Sequence, residues 1–158
     1  MNERKQVLFL CTGNSCRSQM AEGWLRHLGK GTVTVASAGT NPAGISERVI
    51  SCMQETGVDI SGQDSKPVGP FAGETFDYVI TLCENARQSC PVFPGAASML
   101  HWDLPDPSGA QGSEEERIAL FRLIRDRIRL RCEDFLGKVL DQFLAKGSHS
   151  RSQVDSSS

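Results

Sequence analysis

Residues 6–18 read Gln-Val-Leu-Phe-Leu-Cys-Thr-Gly-Asn-Ser-Cys-Arg-Ser, and three kinds of local physics succeed one another within them. Gln6–Cys11 is a short, continuous apolar run, the pattern of a strand buried on both faces. Thr12-Gly13-Asn14-Ser15 is a small polar loop. From Arg17 to Leu28 the apolar positions Met20, Ala21, Trp24, Leu25 and Leu28 recur at helical spacing, with Gly29 where a C-terminal cap is expected. The unit is strand, tight loop, helix, and it sets Cys11 at the end of the strand and Arg17 at the start of the helix.

The rest of the chain repeats this alternation. Val33–Ala36 is a β-branched run, and Ser46 has the position of a cap for a helix carrying Val49, Ile50 and Met53 that stops near Gly57. Asp77–Leu82 is a third strand, which delivers Cys83 as the first delivers Cys11. A weaker fourth strand, Ser98–Trp102, runs into Asp103-Leu104-Pro105-Asp106-Pro107, a loop stiffened by its prolines. Ser113 and Glu116 have capping-box spacing ahead of a long helix with the stripe Phe121, Ile124, Ile128, Cys132, Phe135, Val139 and Phe143. The pattern stops near Lys146, and the polar, low-complexity remainder, 147–158, is expected to be a disordered tail. The expected architecture is α/β: one three-layer domain over residues 1–146 with a four-stranded parallel sheet covered by helices, whose ligands bind beyond the C-terminal ends of the strands.

Composition narrows the function. At 158 residues the chain is one domain's worth, able to bury roughly 68–70% of its unfolded surface. Seventeen basic and nineteen acidic residues leave a net charge of −2, without the basic excess of a nucleic-acid binder. No apolar run has the ~20 residues needed to cross a bilayer, and the polar start Met1–Gln6 is unlike a signal peptide, so a cytoplasmic protein is expected. In that compartment the six cysteines, at 11, 16, 52, 83, 90 and 132, are better read as thiols, some of them reactive, than as a disulfide scaffold. There is no G-x4-G-K-[ST] or G-x-G-x-x-G, so no nucleotide site is read from the fold class.

Cys11-Thr12-Gly13-Asn14-Ser15-Cys16-Arg17-Ser18 has the form C-x5-R between a buried strand and a helix start. Successive backbone N–H groups in such a loop can curl around a tetrahedral oxyanion, the helix N-terminus adds positive potential, and Arg17 offers a bidentate fork. The same field favours the thiolate of Cys11. A thiol with pKa ~8.5 is about 3% ionised at pH 7, and one lowered to about 6 is roughly 90% ionised. The Ser18 hydroxyl is placed to donate to that thiolate. Gly13 and Asn14 are the residue types that take positive φ at least cost. A lone cysteine after an apolar run is ordinarily a packing residue; the x5-Arg-Ser spacing and the strand-to-helix context set this one apart.

The stretch Cys11–Trp24, Ser37–Gly39, Thr81–Cys83, Cys90–Gly95 and His101–Pro107 closely resemble the thioredoxin-coupled arsenate reductases, which share the fold of low-molecular-weight protein tyrosine phosphatases; the resemblance spans about residues 5–145. It implies that Cys11 attacks arsenate, that Cys83 then attacks Cys11 with release of arsenite, that Cys90 converts the Cys11–Cys83 disulfide into Cys83–Cys90, and that thioredoxin reduces that bond. It implies the loop 12–18 as the oxyanion cradle, for arsenate and its analogues phosphate and sulfate, and Asp106 as general acid, with Asp103 the competing candidate. No bound cofactor is implied, and a monomer is expected. Arsenic(V) on a thiol accepts two electrons when a second thiol attacks that sulfur, whereas phosphorus(V) is not reduced in this way, so a phosphatase has no use for Cys83 and Cys90. On one straight helix those two cysteines would stand about 10.5 Å apart, against the 5.5–6 Å between Cα atoms that a disulfide needs, so segment 83–90 is expected to unwind on oxidation. Their spacing is also unlike the tight cysteine pairs of a zinc site.

Cys132 and Cys52, on or beside helix stripes, read as packing residues, and Cys16 receives no obligatory step. Some relatives bind potassium through residues corresponding to Asn14, Glu22 and Ser37 with an aspartate where this chain has Lys66; the expectation here is that the Lys66 ammonium pairs with Glu22 and takes the cation's place. The rival readings are a tyrosine phosphatase and a non-catalytic arsenite-binding or redox-sensing module. Against the first, Asp106-Pro107 is followed by Ser108-Gly109 rather than by the tyrosines that hold an aromatic substrate, and Gln19 stands where phosphatases usually have proline. Against the second, an activated loop with an acid is superfluous for binding. Glutaredoxin with glutathione, or mycothiol, serves as reductant in related enzymes of the same fold.

Overall fold

The computed structural model describes residues 4–82 and 96–156, with side chains through residue 139. In chain order the elements are β1 (Lys5–Cys11), α1 (Arg17–Gly29), β2 (Val33–Gly39), α2 (Glu47–Gln54), a 3-10 turn at Gly69–Phe71, β3 (Tyr78–Thr81), β4 (Ser98–His101), a second 3-10 turn at Pro107–Gly109, and α3 (Glu114–Ser156). The four strands form one parallel sheet in the order β2-β1-β3-β4. The chain leaves β1 toward β2 on one side and reaches β3 on the other, so the order reverses at β1. Parallel α/β sheets open a crevice at such a switch point, beyond the carboxyl ends of the strands. Cys11 ends β1 there.

The apolar run of β1 supplies both faces. Val7 and Phe9 belong to the larger core with Met20, Trp24 and Leu25 of α1, Val49 and Met53 of α2, and Ile124, Ile128 and Cys132 of α3. Leu8 and Leu10 pack on the other side with Ala38, Phe76 and Val79. Phe9 lies at the centre of the first core, its ring 5.4 Å from that of Trp102, which in turn lies 6.2 Å from Phe135. Removing such a ring costs about 3–5 kcal/mol, so strand, acid-loop entry and α3 are held in one register.

The strand-loop-helix alternation, four parallel strands and capping box match the sequence pattern; Glu116 N–H donates to Ser113 Oγ at 3.1 Å and Ser113 N–H reaches back to Glu116 Oε1 at 3.4 Å. Three local expectations are corrected. Gly29 is the last helical residue rather than the cap, and the left-handed position is Lys30, at φ 47°; Gly29 is needed for closeness, since a Cβ there would stand 2.8 Å from Val33 Cγ2. Ser46 starts α2 with its backbone, its side chain making no cap bond. The α3 backbone continues as helix past Lys146 to Ser156, over a stretch that contains no proline to stop it. Among the described residues no helix is long and apolar enough to cross a membrane.

Candidate active site

Cys11 passes directly into the loop 12–16, which ends at the first turn of α1. That turn carries no acidic residue, so nothing on the helix offsets its positive end. For backbone N–H groups to face a central anion, the loop's carbonyls must face outward, and each from 11 to 16 finds a partner. Cys11 O accepts from Thr40 N–H at 3.2 Å, Thr12 O from Asn41 N–H at 2.8 Å, Gly13 O from Ala43 N–H at 2.9 Å and Ser15 O from Ser46 N–H at 3.1 Å. Cys16 O accepts from Met20 N–H within α1. Asn14 O is met by the side chain of Gln19 at 3.0 Å. Segment 40–46 thus braces the outside of the cradle, and Gly39 makes the approach possible, because a Cβ there would lie 2.5 Å from Thr12 O and 2.9 Å from Asn14 N.

Arg17 is buried, 7% exposed. Its NH1 donates to Leu104 O at 2.8 Å and Leu82 O at 3.3 Å, which ties the cradle to the ends of two neighbouring strands. Its NH2 stands 3.6 Å from Asp106 Oδ2. Its Nε–H is buried and has no hydrogen-bond partner among the described residues, an arrangement that is costly unless a ligand completes it. Asp106 is half-exposed and caps the turn Pro107–Gly109: its Oδ1 accepts from Ser108 N–H at 2.9 Å and Ser108 Oγ at 2.6 Å. Burial pushes the carboxyl's pKa up, but the Ser108 bonds and the Arg17 charge outweigh it and hold it below its usual value. With the cradle empty Asp106 is an anion facing Arg17. Asp103, the competing candidate, is exposed.

Asn14 is the one cradle residue at positive φ, 47°; Gly13 is not, and its small size serves instead, a Cβ there coming within 3.1 Å of Ser15 Oγ. The Asn14 side chain is fully buried. Its Nδ2 donates to Ser18 Oγ at 2.8 Å and Ser37 Oγ at 2.9 Å, and its Oδ1 accepts from Lys66 N–H at 2.8 Å. Ser18 therefore supports the loop by accepting from Asn14. Ser37 Oγ donates to Glu22 Oε1 at 2.5 Å. Lys66 Nζ donates to Asp64 O at 2.7 Å and stands 3.9 Å from Glu22 Oε1, while Arg26 NH2 bonds Glu22 Oε2 at 2.5 Å. Two cations of the chain's own thus face Glu22, and a polar cleft of about 380 Å³ opens over them. The Asn14 oxygen and the Glu22 carboxylate are thus engaged by groups of the chain itself.

Among the described thiols, Cys16, Cys52 and Cys132 are buried. Burial pushes Cys16 up to about 12, with Asp106 adding to the rise and Arg17 opposing it. Burial also raises Cys52, against the nearby Arg125, and Cys132. All three are protonated at neutral pH and chemically quiet.

The structure therefore brings together Cys11, Thr12, Gly13, Asn14, Ser15, Cys16, Arg17, Ser18 and Asp106, and sets Glu22, Ser37 and Lys66 behind them. Cys83 and Cys90, and with them the expected unwinding of 83–90, lie outside the described residues. Chain order alone does not disclose the outer brace of Thr40–Ser46, the two carbonyls that hold Arg17, or the roles of Gln19 and Gln63. Gly39, the last residue of β2, is the one signal in the sequence from which a close approach could be read.

Residues 6–147 match the model of the low molecular weight phosphotyrosine protein phosphatase family. A protein named arsenate reductase from Bacillus licheniformis is 45% identical over 84% of this chain and 95% of its own. A solved arsenate reductase in the phosphate binding state superposes with a TM-score of 0.74 at 36% identity, covering 85% of this chain and 98% of that one. The Corynebacterium glutamicum thioredoxin-dependent arsenate reductase gives a TM-score of 0.60 at 34% identity, over 85% of this chain and 63% of its own. With a cysteine, an outward-braced amide loop and a buried arginine held at the switch point of the same sheet, the chain belongs to the low molecular weight phosphotyrosine protein phosphatase family, among relatives named arsenate reductases.

Proposed function

We propose that this protein is an arsenate reductase, converting arsenate to arsenite through a relay from Cys11 to Cys83 to Cys90 that thioredoxin resets. The observation that carries the reading is the buried Arg17 Nε–H without a partner among the described residues, at a helix start that follows Cys11 and an amide-lined loop. A tetrahedral dianion supplies what that geometry lacks.

In the proposed sequence the Cys11 thiolate attacks arsenic, a sulfur–arsenic bond forms, and one arsenic–oxygen bond breaks, its oxygen leaving as water with a proton from Asp106. Asp106 is ionised beforehand. An arriving dianion draws the Arg17 fork away from it and adds like charge, both of which raise its proton affinity, so it acquires the proton as substrate binds. The Cys83 thiolate then attacks the Cys11 sulfur; the sulfur–arsenic electron pair passes to arsenic, which leaves as arsenite, and the two thiols become a disulfide. Cys90 next attacks Cys83, freeing Cys11, and the thioredoxin dithiol reduces Cys83–Cys90. Leu82, the residue before Cys83, donates its N–H to Leu10 O at 2.9 Å and accepts from Arg17 at its carbonyl. The chain therefore runs beside the cradle one residue short of the second thiol, which supports the relay.

The reading includes a cytoplasmic monomer that needs no potassium, the Lys66 and Arg26 charges standing where a cation would. The test is arsenate-dependent oxidation of NADPH with thioredoxin and thioredoxin reductase, wild type against Cys90→Ser. Sustained turnover that halts after about one equivalent in the variant supports the relay. No turnover, with brisk hydrolysis of an aryl phosphate, assigns the site to phosphatase chemistry.

A further inference from the structure

We propose that Gln19 is a positioning residue for oxyanion binding, acting by pinning the peptide plane between Asn14 and Ser15; the inference rests on the reading of loop 12–18 as an oxyanion cradle. Of the six carbonyls from Cys11 to Cys16, five are turned outward by main-chain N–H groups. Asn14 O accepts from the Gln19 side-chain amide. Because a trans peptide sets its C=O and N–H on opposite sides, holding Asn14 O outward aims Ser15 N–H inward. The pinned residue is the cradle's one left-handed position, φ 47° at Asn14, where a non-glycine backbone is held against its own preference.

Gln19 is fixed for this task. It is fully buried. Its Nε2 spends both protons on carbonyls, Asn14 O at 3.0 Å and Asp64 O at 2.9 Å. Its Oε1 accepts from Gln63 Nε2 at 2.7 Å, and Gln63 Nε2 also reaches Gln19 O at 3.1 Å. Turning the amide over would press an oxygen against two carbonyls, so the network allows one orientation. Arg26 NH1 bonds Gln63 Oε1 at 2.9 Å and extends the line to the surface. Without the Gln19 amide the Asn14 carbonyl is left buried and unmatched, and rotation of that peptide plane would replace an inward N–H with an inward oxygen facing the anion.

The experiment compares wild type with Gln19→Met, which keeps the length and loses the amide. Titration calorimetry with inorganic phosphate and the pH profile of Cys11 alkylation are read well below each protein's melting temperature. The expected result is phosphate binding weaker by about tenfold, the weight of one charge-assisted hydrogen bond, with the alkylation profile displaced to higher pH. A folded Gln19→Met with phosphate affinity and profile within twofold of wild type overturns the proposal, since a packing role lowers only the melting temperature. Should Gln19→Met not fold, Gln63→Met, which frees Gln19 Oε1 but leaves the loop carbonyl bonded, is expected to weaken phosphate about threefold with a shift in the same direction; an unchanged affinity and profile overturns the proposal equally. Wild type that fails to bind phosphate at all overturns the cradle reading itself.

Discussion

Replacing Gly39 by alanine adds one methyl group at the end of β2, and it meets backbone. The new Cβ would stand 2.5 Å from Thr12 O and 2.9 Å from Asn14 N, so the cradle has to retreat by about 0.9 Å to reach ordinary contact at 3.4 Å. No side chain can rotate out of the way. The retreat also strains the bonds from Thr40 N–H to Cys11 O and from Asn41 N–H to Thr12 O. Overpacking of this kind costs about 1–3 kcal/mol of stability, a fall in melting temperature of roughly 2–12 °C for a chain of this size. The larger effect is expected on function, because a displacement near 1 Å at a catalytic constellation costs about a hundredfold in rate. The assay is kcat/KM for arsenate-dependent NADPH oxidation together with phosphate affinity by calorimetry, at a temperature where the variant is folded. Gly73→Ala, where an added Cβ meets nothing within 4 Å, is the control and should behave as wild type. A folded Gly39→Ala within threefold of wild type in both readouts would show that the cradle is not held against β2 as described.

Glu55 joins α2 to α3 through bonds from Arg122 at 2.9 and 2.7 Å and from Arg125 at 2.8 Å, and these hold its pKa down to about 2. A depressed carboxylate stabilises the fold above its unfolded value near 4.5 and loses that contribution as pH falls toward 2. The melting-temperature gap between wild type and Glu55→Gln should be full at pH 6, shrink in acid and shrink in high salt; a gap independent of pH refutes the pairing. In a Cys83→Ser/Cys90→Ser protein, mass spectrometry of alkylation at pH 7 should find Cys11 modified first, with Cys16, Cys52 and Cys132 reacting only on unfolding; prompt modification of Cys16 contradicts its raised pKa. Potassium in place of sodium at fixed ionic strength should leave turnover and melting temperature of the wild type unchanged, and a rise specific to potassium refutes the substitution by Lys66. Removal of residues 147–158 should leave the melting temperature within about 2 °C of wild type, as expected from their polar, low-complexity sequence; a larger fall shows that this stretch supports the domain.

Much of this protein is decided locally. The apolar run of β1, buried on both faces, and the 3.6-residue stripe of α1 are properties of consecutive residues, and together they fix a strand, a turn and a helix with Cys11 and Arg17 at its two joints. The capping box at Ser113 and Glu116 and the burial of Cys132 follow from the same short-range periodicity. Chemistry implied by residue type at fixed spacing, a thiol and a guanidinium with five residues between them, was legible in the same way.

What the sequence could not state is what lies outside the cradle, because most of those contacts join residues far apart in the chain. Arg17 is held by carbonyls at Leu82 and Leu104, the loop carbonyls by residues 40–46, Gln19 by Asp64 and Gln63, and Glu22 faces Lys66. That Ser18 Oγ also accepts from Asn14 was not legible in the sequence, and Gly13 could be read as a positive-φ residue until, of the two, Asn14 proved to be the one. A backbone carbonyl carries no side-chain signature, and which one turns toward a given donor is fixed only when the sheet order β2-β1-β3-β4 closes. The sequence alone determined which groups could do the chemistry, through short-range pattern; the tertiary structure decided which way the peptide planes of the cradle face, because that is set by hydrogen bonds across the fold.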